Sequence, residues 1–116
     1  MQVLVNTDNH ITGVEELTQF VEAEVENTLG RFGPQLTRVE VYLSDENSHK
    51  SGDDDKRCVM EARLAGLPPI AARVTAATLE QAVNAASELL EKNLDRTLGR
   101  LEDRKGRTSY GGDQTI

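Results

Sequence analysis

A chain of 116 residues with 37% apolar and 3% aromatic side chains supports one domain with a modest aliphatic core. Its net charge of −7 makes the average field repel phosphate, so any contact with a polyanion must be local. One cysteine, Cys58, excludes an internal disulfide, no apolar run approaches the roughly 18 residues of a membrane span, and the start MQVLVNTDNH lacks the basic and apolar parts of a secretory leader; the expected location is cytoplasmic.

Residues 2–6, QVLVN, read as a short strand. Thr12 and Glu15 have the spacing of a capping box, with Thr12 as the cap of a first helix over 13–31. Val14, Leu17, Val21, Val25, Thr28, Leu29 and Phe32 follow at helical spacing, and Glu15, Glu16, Glu22, Glu24 and Glu26 are expected to face outward. Gly30 and Gly33-Pro34 mark its end. Strict alternation comes next: Val39, Val41 and Leu43 point one way, Arg38, Glu40, Tyr42 and Ser44 the other. Asp45–Asp55 is a polar loop, too hydrophilic to pack and expected to be mobile. A second alternating strand puts Cys58, Met60, Ala62 and Leu64 inward. After the turn Gly66-Leu67-Pro68-Pro69, a third does so with Ile70, Ala72 and Val74. Thr78 and Gln81 form another capping box, and an apolar stripe from Leu79 to Leu101 predicts a second helix over 79–104.

The order is β-α-β-β-β-α. Each strand has one apolar face and each helix one apolar stripe. The fold class that satisfies both is α+β, a two-layer sandwich of a four-stranded sheet with two helices on one face. Residues 1–105 make this domain, and residues 106–116, GRTSYGGDQTI, a flexible tail. Leu17, Val21, Val41, Leu43, Leu64, Val83, Leu90 and Leu94 are expected to be buried together.

Charge is unevenly spread along this order. The first 55 residues hold 12 acids against Arg31, Arg38 and Lys50. From Lys92 to Arg107, six basic residues stand against Asp95, Glu102 and Asp103, a local balance of +3. Lys92, Arg96, Arg100 and Arg104 recur every four residues, which sets them on neighbouring turns of one side of the helix. Such a stripe is either a footprint for a polyanion or a solvated face with internal ion pairs, for which Glu88, four residues before Lys92, is placed.

Other chemistry has little support. His10 and His49 lie in polar segments without a nucleophile or orienting acid, and no phosphate-binding glycine motif occurs, so the chain does not read as an enzyme and no cofactor or small-molecule substrate is implied. Asp45, Asn47 and His49 alternate like the start of a calcium loop, but positions 6 and 12 are Lys50 and Lys56 where Gly and Glu are required; no metal site is expected. Cys58, on an inward strand face, reads as core. Arg38, Arg57, Arg63 and Arg73 share the outer sheet face with Tyr42; pairing with Glu40 and Glu61 accounts for them better than an RNA-stacking platform with one aromatic.

The element order, the start MQVLVNTDNHITGVEELTQFVEAEVENTLGRF, the strand TRVEVYLS and the segment AARVTAATLEQAVNAASELLEKNLDRTLGRL resemble the ribosome hibernation factors, also known as ribosome-associated inhibitors or sigma-54 modulation proteins. The resemblance covers roughly residues 1–105. It implies a short-form protein that binds the small ribosomal subunit, contacts ribosomal RNA through basic helix side chains, blocks translation and preserves idle ribosomes. The RNA-binding residues it implies here are Lys92, Arg96 and Arg100, with Arg104, Lys105, Arg107 and Arg31 added from the basic pattern. No membrane partner is implied, and the oligomeric state is open.

One departure stands out. Members of that family are generally basic, with lysines toward the end of helix one. This chain has Glu22, Glu24 and Glu26 and then Arg31. Each lysine replaced by glutamate removes a counterion-releasing phosphate contact and adds repulsion. An acidic interaction module of the same fold, no longer bound to ribosomes, is the alternative. A general double-stranded RNA binder is a further one, disfavoured by the Asp-rich loop.

Overall fold

The computed structural model describes residues 1–9, 11–45 and 55–110, the last nine of these by backbone alone. The elements are β1 (Gln2–Thr7), α1 (Val14–Leu29), a 3₁₀ segment (Gly30–Gln35), β2 (Leu36–Asp45), β3 (Lys56–Leu64), β4 (Ile70–Ala76) and α2 (Leu79–Tyr110). The strands form one sheet in the order β1-β2-β3-β4. β2, β3 and β4 are an antiparallel meander, and β1 lies parallel to β2 at the edge. A parallel neighbour needs a long crossover, and α1 supplies it.

Alternation decides which face of the sheet is covered. Val39, Val41, Leu43, Cys58, Met60, Ala62, Leu64 and Ala72 are buried. They join Leu17, Val21, Val25 and Leu29 of α1 and Ala82, Val83, Ala86, Leu90 and Leu94 of α2 in a single cluster. Both helices therefore cover the same face, and the opposite face stays in water, as the sequence pattern predicts. All eight residues expected in the core are there.

Several local expectations need correction. The first helix is not capped by Thr12. Gly13 is the N-cap, in the left-handed conformation at φ 65°, and no side chain bonds the first turn. A glycine enters that region at little steric cost. It moves the helix start one residue on and takes Glu15 out of the position that a capping box needs. Val14, read as the start of the apolar stripe, is exposed on that first turn. α1 ends at Leu29 and tightens into 3₁₀ turns rather than running to 31. Within them Gly33, at φ 59° and ψ −134°, turns the chain toward β2 while Phe32 stays buried.

Leu36 is buried out of phase with Val39, because a bulge between Leu36 and Arg38 gives β2 an extra residue. The unpaired Thr37 returns its hydroxyl to the Arg63 carbonyl at 2.9 Å.

The second cap forms as expected. The Gln81 amide donates to Thr78 Oγ1 at 3.1 Å. α2 continues to Tyr110, so residues 106–110, assigned to the tail from sequence, fall within its bounds. Its 32 residues rise about 48 Å, about twice the length of the seven-residue β4 beneath it. Among the described side chains of α2, full burial stops at Leu94 and Leu98 is only partly buried, and the helix is longer than the sheet it covers.

Candidate nucleic-acid interface

The basic stripe is carried by α2 where it leaves the sheet. At about 100° per residue, Lys92 falls opposite the Leu90–Leu94 seam. Arg96 and Arg100 swing toward the flank of Asn93, whose Nδ2 donates to the Ala71 carbonyl of β4 at 3.2 Å. Ser87, Glu91 and Asp95 occupy the other flank, toward α1 and the 3₁₀ segment. α2 thus has a basic flank toward solvent and β4, and an acidic flank toward its neighbouring helix.

Ion pairing separates two classes of cation. Arg31 Nε bonds Glu91 Oε2 at 3.0 Å, and Arg31 Nη2 bonds Asp95 Oδ2 at 2.6 Å. These bonds, Asp95 first, hold the Arg31 pKa above its ordinary value. Arg31 also lies over the Phe32 ring, 4.3 Å from its centroid. Lys56 pairs with Asp55 at 2.7 Å and Asp45 at 3.5 Å. By contrast, Lys92, Arg96 and Arg100 are exposed and make no ion pair among the described residues, Glu88 included. At Lys92, Arg96 and Arg100 the internal pairs that the spacing also allowed do not form among the described residues. Arg104, Lys105 and Arg107 lie on the helix, but their side chains are outside those described.

On the outer sheet face Glu40 and Glu61 neutralise Arg38 and Arg63, while Arg73 is exposed and makes no ion pair among the described residues. Register sets Arg38 against Arg63 and Glu40 against Glu61, two like-charge pairs that diagonal contacts offset. Arg63 reaches Glu40 at 3.3 Å and Glu61 at 3.1 Å, and Arg38 reaches Glu40 at 3.4 Å. The Tyr42 hydroxyl donates to Glu40 at 3.1 Å and its pKa is raised as a result. The cross-strand account of the arginines thus holds for Arg38 and Arg63, and not for Arg73, which reaches neither glutamate.

On α1, Glu15, Glu16, Glu22 and Glu26 are exposed, and the helix contains no basic residue. Glu24 differs. Its Oε2 accepts from the Thr28 hydroxyl at 2.9 Å and lies 2.8 Å from the hydroxyl of the fully buried Ser87 on α2. Ser87 donates its single proton there or to the Asn84 carbonyl at 2.9 Å. Glu24 is therefore a half-buried link between helices, not the outward charge expected from the helix pattern. Ser87 is the signal that was available in sequence: a hydroxyl inside the apolar stripe of Val83, Ala86 and Leu90 needs a partner.

Catalytic candidates gain nothing from the geometry. Cys58 is buried, and desolvation pushes its thiol up to about 12, the opposite of activation. His10, and residues 46–54 of the polar loop expected to be mobile and metal-free, His49 among them, lie outside the described residues. Among the described residues no helix is long and apolar enough to cross a membrane.

Residues 4–102 match the family model described as sigma 54 modulation protein / S30EA ribosomal protein. The chain belongs to this family. Two solved structures share the fold of this S30EA-family chain. One is the N-terminal domain of Protein Y from Thermus thermophilus, at TM-score 0.65 and 18% identity, covering 84% of this chain and 99% of that one. The other is a ribosomal subunit interface protein from Coxiella burnetii, at TM-score 0.58 and 15% identity, covering 85% and 99%. No curated protein matches the chain significantly by sequence. The family match takes in Lys92, Arg96 and Arg100 and ends before Arg104.

Proposed function

We propose that this S30EA-family chain is a ribosome-associated translation inhibitor that binds the small subunit, contacts ribosomal RNA through the basic flank of α2, and keeps idle ribosomes intact. The observation that carries the proposal is the state of the cations. Arg31, Arg38, Lys56 and Arg63 are engaged by acids of the same chain, while Lys92, Arg96 and Arg100, like the isolated Arg73 of β4, are exposed and unpaired among the described residues. Three free cations on consecutive turns, with no aromatic beside them from Lys92 to Leu101, suit contact with phosphate better than stacking on bases. The contact is therefore mainly electrostatic, and its affinity falls steeply with salt. Family membership and the ribosomal subunit interface protein of the same fold support the choice of the ribosome as the polyanion.

Co-sedimentation with purified small subunits across a salt series tests this. The expected result is binding at low salt with a linear fall of log affinity against log salt. Binding that is absent at low salt, or insensitive to salt, overturns it. The acidic face of α1 favours a second reading, a protein-interaction module, which predicts capture of a basic protein by α1 and no RNA contact by α2.

A further inference from the structure

The acid partners of Arg31 are sequence neighbours of the basic stripe. Asp95 stands three residues after Lys92, and Glu91 immediately precedes it. An acid at i+3 is a natural helical partner for Lys92, and such a pair takes the lysine away from any phosphate. The structure shows another arrangement. Arg31 Nε and Nη2 take Glu91 and Asp95 at 3.0 and 2.6 Å, on the flank of α2 toward the 3₁₀ segment. The guanidinium also lies over the ring of Phe32, which is itself buried. Resting on the functional reading above, we infer that Arg31 is a positioning residue for RNA binding. It holds the Glu91 and Asp95 carboxylates against the 3₁₀ segment and so leaves Lys92 free to meet phosphate.

This assigns Arg31 a different role from the direct RNA contact expected from its charge. It also gives Glu91 and Asp95 a role in the interface that neither has as an isolated surface acid. Loss of Arg31 releases two carboxylates beside the stripe, and the cost appears only while those carboxylates exist.

The test is a mutant cycle read by co-sedimentation with small ribosomal subunits at low salt, with the thermal midpoint of each variant recorded. Arg31→Gln is expected to weaken binding about three- to fivefold, the scale of an exposed ion pair gained by a competitor. The same change made in a Glu91→Gln/Asp95→Asn background is expected to alter binding by less than about 1.5-fold. An equal loss in both backgrounds overturns the inference, because it means direct RNA contact or damage to the fold. No loss in the native background overturns it too. Failure of the functional reading is distinguishable: there, Arg96→Glu/Arg100→Glu leaves binding unchanged, or the parent chain does not bind.

Discussion

Reversing the charge of Glu24 should act on stability where reversing Glu22 or Glu26 does not. All three glutamates lie on α1 within five residues, and only Glu24 bonds across to α2. Its carboxylate accepts from Ser87 at 2.8 Å and Thr28 at 2.9 Å. A hydrogen bond to a charged group contributes about 1.5–3 kcal/mol, and the half-exposed site takes the lower end. Ser87 retains the Asn84 carbonyl at 2.9 Å as a fallback acceptor, which limits the loss further. Glu24→Lys should therefore cost about 2 kcal/mol, and Glu22→Lys or Glu26→Lys within about 0.5 kcal/mol of nothing. In a domain of this size that is a fall in midpoint of about 10 °C for Glu24→Lys alone. In urea it is a shift of about 1 M, with an unchanged slope. Urea unfolding followed by circular dichroism reads this directly. Equal midpoints for the three variants would refute the reasoning, because they would mean that the Ser87 contact carries no stability.

Leu90→Ala, at a side chain with 0% exposure between helix and sheet, should cost about 2–5 kcal/mol from lost transfer energy and the cavity left behind; a loss under about 1 kcal/mol in the same urea assay contradicts the core described above. Cys58 should resist thiol reagents at pH 8 in the native protein and react at once in denaturant. Its folded pKa, raised from 9.0 to about 12, means the stability from the protonated thiol is fully present below pH 9.0 and is lost as pH rises toward 12; native-state labelling as fast as in denaturant contradicts this. The Glu22→Lys/Glu26→Lys double variant should tighten binding to small subunits at low salt by weakening the acidic field that repels phosphate, and unchanged or weaker co-sedimentation would contradict this.

The fold was legible because periodicity carries it. The alternation at Val39–Leu43, Cys58–Leu64 and Ile70–Val74 and the apolar stripes of α1 and α2 each have one solution for which side is buried, and together they leave one layered arrangement. What escaped was local and depended on single backbone or cross-element events. Gly13 in a left-handed conformation displaces the cap from Thr12. A bulge puts Leu36 in the core against the parity of its strand.

The basic stripe was legible as a spacing, but not its state. Glu88 and Lys92 have the separation of an ion pair and do not form one among the described residues. Glu91 and Asp95 instead meet Arg31, roughly 60 residues away in the chain. Helical spacing lists neighbours on one helix; it is blind to a partner delivered by the 3₁₀ segment.

The central claim is that the free cations of α2 are the contact with ribosomal RNA. Its most direct test is co-sedimentation of Arg96→Glu/Arg100→Glu with purified small subunits from low to high salt, beside the parent chain. Both side chains point away from the Leu90–Leu94 seam, so the variant should unfold at the parent's midpoint. It should bind more weakly at low salt, with a flatter dependence of log affinity on log salt, because fewer phosphates are neutralised. A folded variant that co-sediments as well as the parent at every salt concentration would contradict the claim and move the weight to the acidic face of α1.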